Sequence, residues 1–286
     1  MARRALPLLT RRYRVYALVR ATDSTLDAEL TKYGVVPIRG DLDRPASLRR
    51  LAGLADLVLH LAPPPEQGTQ DTRTRHLIAA LRRGKYLPRR LVYISTSGIY
   101  GDCGGAIIGE SQRANPQSAR ARRRVDAEAQ LRRWGKSAGA PCVSILRAPG
   151  IYATGRLPVE RIRRGDPVLN DADDVYTNHI HADDLARCAL AALRHGSPNR
   201  AYHASDDSVL RMAEWFDAVA DAHALPHPRR VSRAEAASLL SPLVLSFMRE
   251  SRRLDNTRLK RELKVRLIYP QVNAGLANTV STRKES

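Results

Sequence analysis

Residues Leu91–Gly101 read LVYISTSGIYG. Four apolar residues run without alternation into a polar, glycine-bounded turn. A short continuous apolar run closed by a turn signal is the pattern of a strand buried on both faces. Working outward, the same kind of run recurs at Tyr13–Val19 (YRVYALV), Val35–Ile38 (VVPI), Leu57–Leu61 (LVLHL) and Val143–Leu146 (VSIL). Between these runs lie segments with helical features. A polar stretch follows Val19, with Asp23 or Ser24 as its cap, and further helices are predicted around Ser47–Leu54, Thr72–Arg83 and Ser118–Trp134. In Thr72–Arg83, Leu77, Ile78 and Leu81 fall on one face.

Strands alternating with helices predict an α/β fold, a doubly wound parallel sheet of the Rossmann type. Such sheets bind ligands beyond the carboxyl ends of their strands. Chemistry is therefore expected at Val19–Arg20, RGDLD (39–43), APPP (62–65), STSGIYG (95–101) and RAPGIY (147–152). After Ile151 the alternation weakens. Helices near Asp183–Leu193 and Val209–Ala222 and a proline-punctuated end predict a smaller C-terminal substrate-covering region at 151–286. It would depend on the 1–150 region rather than form an independent domain.

The chain has 286 residues and 43% hydrophobic content, enough for a real core and too apolar for disorder throughout. It contains no apolar run of about 18 residues, so no membrane span is expected. The apolar patch Ala5–Leu9 is too short for a signal-peptide core. Cys103, Cys142 and Cys188 are odd in number and far apart, which argues against a disulfide framework or a structural zinc site and for a cytoplasmic address. The net charge of +19 is compatible with nucleic-acid binding, but the arginines are dispersed over the whole chain, so a nucleic-acid partner is not expected.

The order strand, GDLxD, strand, HLA, strand, YISTSGIYG, helix, LRAPGIY and NHIHADDLA resembles the extended short-chain dehydrogenase/reductase family of the NAD-dependent epimerase/dehydratase type. The resemblance covers nearly the whole chain and rests on the order and spacing of the motifs together. It implies an NAD(P)-binding oxidoreductase or epimerase acting on a small-molecule carbonyl or sugar-type substrate. In that family a first strand and a GxxGxxG loop cradle the dinucleotide pyrophosphate. Here the sequence opens at ARRALPLLTRRYRV, similar to the back half of the helix that follows that loop. A start assigned too far downstream and a real truncation are the two explanations. The first is favoured, because a sheet without its central strand would expose apolar flanks on both neighbours.

The resemblance assigns further positions. Arg20, at the end of the second family strand and with no acid before Asp23, favours NADP over NAD. Asp41 matches the aspartate placed near the adenine, and Leu61 and Ala62 match the strand end beside the cofactor. His60 is expected to be a core histidine. Thr96 stands at the family's substrate-hydroxyl Ser/Thr position.

The helix then arrives as SARARRRVDAE (118–128). Laid on the family's Y-x-x-x-K register, Arg120 occupies the tyrosine position and Arg124 the lysine position. Arginine cannot act as the proton-transfer group, since it stays protonated. Arg124 is expected to bind ribose hydroxyls or phosphate, and Arg120 to enter the substrate pocket. Arg122 with Asp126 and Arg124 with Glu128 are spaced for i,i+4 pairs. Arg147 and Tyr152 lie where the family passes close to the nicotinamide, and Tyr152 or Tyr176 is a candidate for the missing tyrosine. Arg156, Arg161, Arg163 and Arg164 could accept an anionic group. Asp183 is expected to cap the next helix, and no metal site is expected in NHIHADD. Many relatives pair through the two helices flanking the central strands, which implies a homodimer by analogy. Two alternatives stay open: a catalytically inactive cofactor-binding sensor or scaffold, and nucleic-acid binding through the arginine helix.

Overall fold

The computed structural model describes residues 1–20 and 24–281. Asp23, one of the two expected caps, lies outside them. In chain order the principal elements are α1 (Ala2–Thr10), β1 (Tyr16–Val19), α2 (Ser24–Lys32), β2 (Val36–Arg39), β3 (Leu57–His60), α3 (Thr72–Leu81), β4 (Arg90–Thr96), α4 (Ala119–Trp134), β5 (Cys142–Ala148), β6 (Gly150–Tyr152), α5 (Val159–Arg163), β7 (His179–His181), α6 (Ala182–His195), β8 (Arg200–His203), α7 (Met212–Ala222), α8 (Arg233–Leu239), α9 (Pro242–Phe247), α10 (Thr257–Leu263) and α11 (Val272–Ser281). The segment expected as a helix at Ser47–Leu54 is a 3-10 turn over Pro45–Leu51.

The central sheet is parallel, in the order β8-β5-β4-β3. Its strands are apolar because both faces are covered. Alternate residues of β4 serve opposite layers. Val92 and Ile94 pack with Leu185, Cys188 and Ala189 of α6. Leu91 and Tyr93 pack with Leu77 and Leu81 of α3 and with Ala127 and Leu131 of α4. Helices on both faces of a parallel sheet are the doubly wound architecture.

β1 and β2 form a separate two-stranded parallel sheet, Tyr16 opposite Val36 and Val19 opposite Arg39. Among the described residues β1 pairs only with β2, and β3 only with β4. Each therefore keeps one unpaired edge among the described residues.

The boundary expected near residue 150 is crossed by the packing. β8, α6 and α10 come from beyond it, yet they join the central sheet or its helical layer. The remaining C-terminal elements build their own clusters, one around Tyr152, Trp215, Phe216 and Leu276 and another around Leu169, Val231 and Met248.

α6 starts differently from the expectation. Its N-cap is His181, whose Nδ1 accepts from the Asp183 N–H at 3.3 Å. Asp183 lies within the first turn and pairs with Arg4 at 2.5 Å, an interaction suited to the helix N-terminus. Asp184 is buried and accepts the N–H groups of Ile268 and Tyr269 at 2.9 and 2.8 Å.

Candidate functional site

A cavity of about 220 Å³ opens at the carboxyl ends of β4 and β5, where a parallel sheet is expected to bind ligands. Thr96, Ser97 and Gly98 from the end of β4, and Pro149 and Gly150 after β5, form one side. Ser118, Arg120 and Ala121 bring the first turn of α4. Tyr176, Met212, Phe247 and Arg252 close it from the C-terminal elements. The Thr96 hydroxyl accepts from the Gly98 N–H at 3.2 Å, which leaves its own proton free to donate. The turn is fixed by Gly101 at φ +65° and ψ −151°, a region essentially restricted to glycine, with the Asn115 carbonyl where a side chain would begin.

The arginines of SARARRRVDAE face four different surroundings. Arg120 lines the cavity, its guanidinium 4.7 Å from the centre of the Phe247 ring. Arg122 is exposed. Arg123 is buried and donates to the Gly68 carbonyl at 2.7 Å. Arg124 is half-buried and donates to the Tyr93 hydroxyl at 2.9 Å and the Ile94 carbonyl at 2.7 Å, which ties α4 to β4. The i,i+4 pairs expected here are not the ones formed. Glu128 turns inward to Arg147, and Asp126 accepts from Gln130 and from the Asp71 N–H.

Arg147 lies in a buried network. Its guanidinium meets Glu128 at 3.2 and 2.7 Å and donates to the Tyr100 hydroxyl at 2.6 Å and the Glu110 carbonyl at 2.9 Å. Tyr100 in turn meets His203 Nε2 at 2.6 Å. Burial pushes the Tyr100 phenol up to about 12 and the His203 imidazole down to about 4. Nothing in the sequence announced this network, because its members are scattered between residues 100 and 203.

Tyr152 is buried, its hydroxyl has no hydrogen-bond partner among the described residues, and it is walled in by Gly275, His179, His181 and Trp215. Burial raises its pKa well beyond the ordinary phenol value. Tyr176, the other candidate, does line the cavity, and its ring lies beneath Arg253 at 4.7 Å and Arg211 at 5.6 Å. His179 is stacked on Trp215 at 4.1 Å and burial lowers it to about 3. Among the described residues no three metal-ligating side chains gather. Arg161 and Arg164 pair with Asp166 and Arg163 with Glu160, all on or beside α5 and outside the cavity lining.

The positions expected to meet a dinucleotide sit at the other strand ends. Arg20 is exposed after β1. Asp41 follows β2, with Oδ1 accepting from the Asp43 N–H at 2.9 Å. Leu61 and Ala62 follow β3, half-buried against opposite faces of the sheet. His60 is buried, its Nε2 lies 2.9 Å from the Thr74 hydroxyl, and burial lowers it to about 3. Arg73 is a positioning residue that sequence reasoning missed. It pairs with Asp43 at 2.6 Å and donates to the Pro63 and Pro64 carbonyls at 3.1 and 3.3 Å, clamping the turns after β2 and β3 together.

Arg20, Asp41, Leu61 and Ala62 thus lie beyond the ends of β1, β2 and β3. α1 starts at Ala2 with Arg3 and Arg4 in its first turn. A G-x-x-G-x-x-G spacing does occur at Gly98, Gly101 and Gly104, after β4. Its N–H groups are already spent: Gly101 on the Gly98 carbonyl, Gly104 on Asp102, and Cys103 and Gly105 on the Ser251 carbonyl.

Among curated proteins, none matches this sequence. Solved structures align over nearly the whole chain. A functionally unknown conserved protein from Silicibacter pomeroyi DSS aligns with TM-score 0.75 and 25% identity, over 99% of this chain and 95% of the other. DesIV, a dTDP-glucose 4,6-dehydratase from Streptomyces venezuelae solved as a double mutant with NAD and DAU bound, gives 0.75 and 21% over 96% and 88%. RMD from Pseudomonas aeruginosa complexed with NADPH gives 0.69 and 19% over 96% and 99%. Those two likenesses support the fold alone. Residues 4–205 match the family model for the NAD dependent epimerase/dehydratase family. On that match, which spans the strand-end motifs and the α4 helix, the chain belongs to the NAD dependent epimerase/dehydratase family.

Proposed function

We propose that the protein binds NADP in preference to NAD and acts as an oxidoreductase or epimerase/dehydratase-type enzyme on a small carbonyl or sugar-type substrate. The observation that carries this reading is the cavity at the carboxyl ends of β4 and β5, where Thr96 and the start of α4 converge. A bound nicotinamide would supply or accept hydride there. Arg20 would meet the 2′-phosphate of the nucleotide, and Asp41, Leu61 and Ala62 would flank its adenosine. Thr96 donates a hydrogen bond to the substrate oxygen. Arg120 stays protonated and cannot relay a proton, so Tyr176 takes that role in this reading. Arg124, held by Tyr93 and Ile94, keeps α4 on the sheet and places a fixed positive charge beside the strand end. The C-terminal elements that carry Tyr176, Met212 and Phe247 act as the cover.

A second reading, a cofactor-binding sensor without turnover, is favoured by Arg120 and Arg124 standing where the family reacts. Two observations argue against nucleic-acid binding through α4: Arg123 is buried and Arg124 faces the sheet. We assign a cytoplasmic address from the three free cysteines. Among the described residues no helix is long and apolar enough to cross a membrane. Homodimerisation would use the outer groove between α3 and α4, lined by Arg75, Arg82, Arg133 and Trp134.

The test is a titration with NADPH and NADH, followed by turnover with a carbonyl panel. NADPH should bind more tightly than NADH, and Arg20→Glu should reverse the order. Tyr176→Phe should abolish turnover and leave nucleotide affinity unchanged. Binding without turnover on any substrate selects the sensor reading, and absence of nucleotide binding refutes the cofactor assignment.

A further inference from the structure

We infer that the cavity beside α4 holds the carboxylate of a small organic acid on Arg120. The inference rests on the cavity being the substrate site and adds the substrate's chemical class.

Arg120 is the cavity's uncompensated charge. Among the described residues it makes no ion pair and no hydrogen bond, and its only close partner is the face of Phe247. Arg252, nine-tenths buried, is an independent sign. Its Nη1 donates to the Gly101 carbonyl at 2.7 Å and pairs with Glu250 at 2.8 Å, while its Nε is buried without a partner. Leaving a guanidinium N–H unpaired away from water is costly, and Arg252 is among the residues that line the cavity. Glu250 is the one carboxylate in the lining, and Arg252 already neutralises it. The balance around the cavity is therefore one net positive charge, on Arg120.

The backbone adds to that field. α4 is 16 residues long, begins beside the cavity at the Ser118 cap, and carries no acidic residue in its first turn. Its N-terminal partial positive charge is thus left for a ligand. The rest of the wall mixes the apolar and aromatic Met212, Phe247 and Tyr176 with the polar Ser97, Thr177 and Asn178. At about 220 Å³ the space lies below the roughly 300–1,000 Å³ that usually encloses drug-sized ligands. A small acid fits these dimensions, with its carboxylate on Arg120 and its carbonyl or hydroxyl toward Thr96.

The experiment titrates pyruvate, 2-oxoglutarate, uncharged ethyl pyruvate and inorganic phosphate into the full chain at low ionic strength, by calorimetry and by thermal shift. A 2-oxo acid should bind, and ethyl pyruvate should bind at least tenfold more weakly. Arg120→Gln should weaken the acid at least tenfold, whereas Arg122→Gln, one position from the cavity lining, should match the parent. Equal binding to Arg120→Gln, equal binding of the ester, or no binding of either acid overturns the inference. Phosphate binding more tightly than both acids through Arg120 overturns the carboxylate assignment. NADPH binding is measured separately on the same samples. Nucleotide binding without acid binding defeats this inference alone, and acid binding without nucleotide binding defeats only the cofactor reading.

Discussion

Replacing Glu128 with alanine tests the buried network behind the cavity. Glu128 and Arg147 are 6% and 8% exposed in their side chains and share two hydrogen bonds. The substitution leaves the Arg147 guanidinium with only Tyr100 and the Glu110 carbonyl, and its charge unpaired. Breaking one side of a buried ion pair costs about 3–5 kcal/mol. Two lost hydrogen bonds to a charged group, at roughly 1.5–3 kcal/mol each, give about 3–6 kcal/mol, an overlapping range. For 286 residues the unfolding entropy is about 0.6 kcal/mol/K, so Tm should fall by roughly 5–8 °C. Differential scanning calorimetry reads this directly. A second variant separates the unpaired charge from lost packing. Glu128→Leu with Arg147→Met removes both charges and should recover most of the loss, because buried pairs often exchange for apolar residues at little cost. A drop below about 2 °C for Glu128→Ala would refute the reasoning, as would a double variant no better than the single one.

Three further outcomes follow from the same physics. Gly101→Ala forces a side chain into a glycine-only conformation and against the Asn115 carbonyl, so chemical denaturation should show a loss of at least about 2 kcal/mol. Burial lowers His60 and His179 to about 3 and His203 to about 4, from 6.5. Their neutral forms are favoured in the fold, so this stability is fully present above about pH 6.5 and is lost as pH falls toward 3–4. Each contributes up to about 1.4 kcal/mol per pH unit, and Tm between pH 6 and pH 5 should fall less steeply in His179→Phe; an unchanged slope would refute the assignment. The isolated β1–β2 sheet should exchange its amide protons at least about a hundredfold faster than β4 and β5, since a two-stranded sheet with an open edge is marginal. Equal protection would show that the edge is covered.

Much of this protein was legible in the order of its residues. The strands LVLH, LVYI and VSIL are continuous apolar runs because a parallel sheet buries both faces, and that signal survives without any tertiary information. Ligands gather at the strand ends of such sheets, so the segment after LVYI could be singled out from the pattern, while Thr96 and the start of α4 were named through the family resemblance. Sequence also put four arginines into the one helix SARARRRVDAE, and their side chains stay protonated and cannot relay a proton.

Only the tertiary structure decided where each arginine goes. Successive helix positions are turned about 100° apart, so neighbours in SARARRRVDAE meet a cavity, solvent, a loop carbonyl and a strand. It likewise set Tyr176 at the cavity and buried Tyr152, and made His181 rather than Asp183 the helix cap. Those outcomes depend on partners distant along the chain: Phe247 for Arg120, Glu128 for Arg147, Gly275 for Tyr152. No local pattern encodes such pairings, because they arise only when separate elements are brought together around a common core.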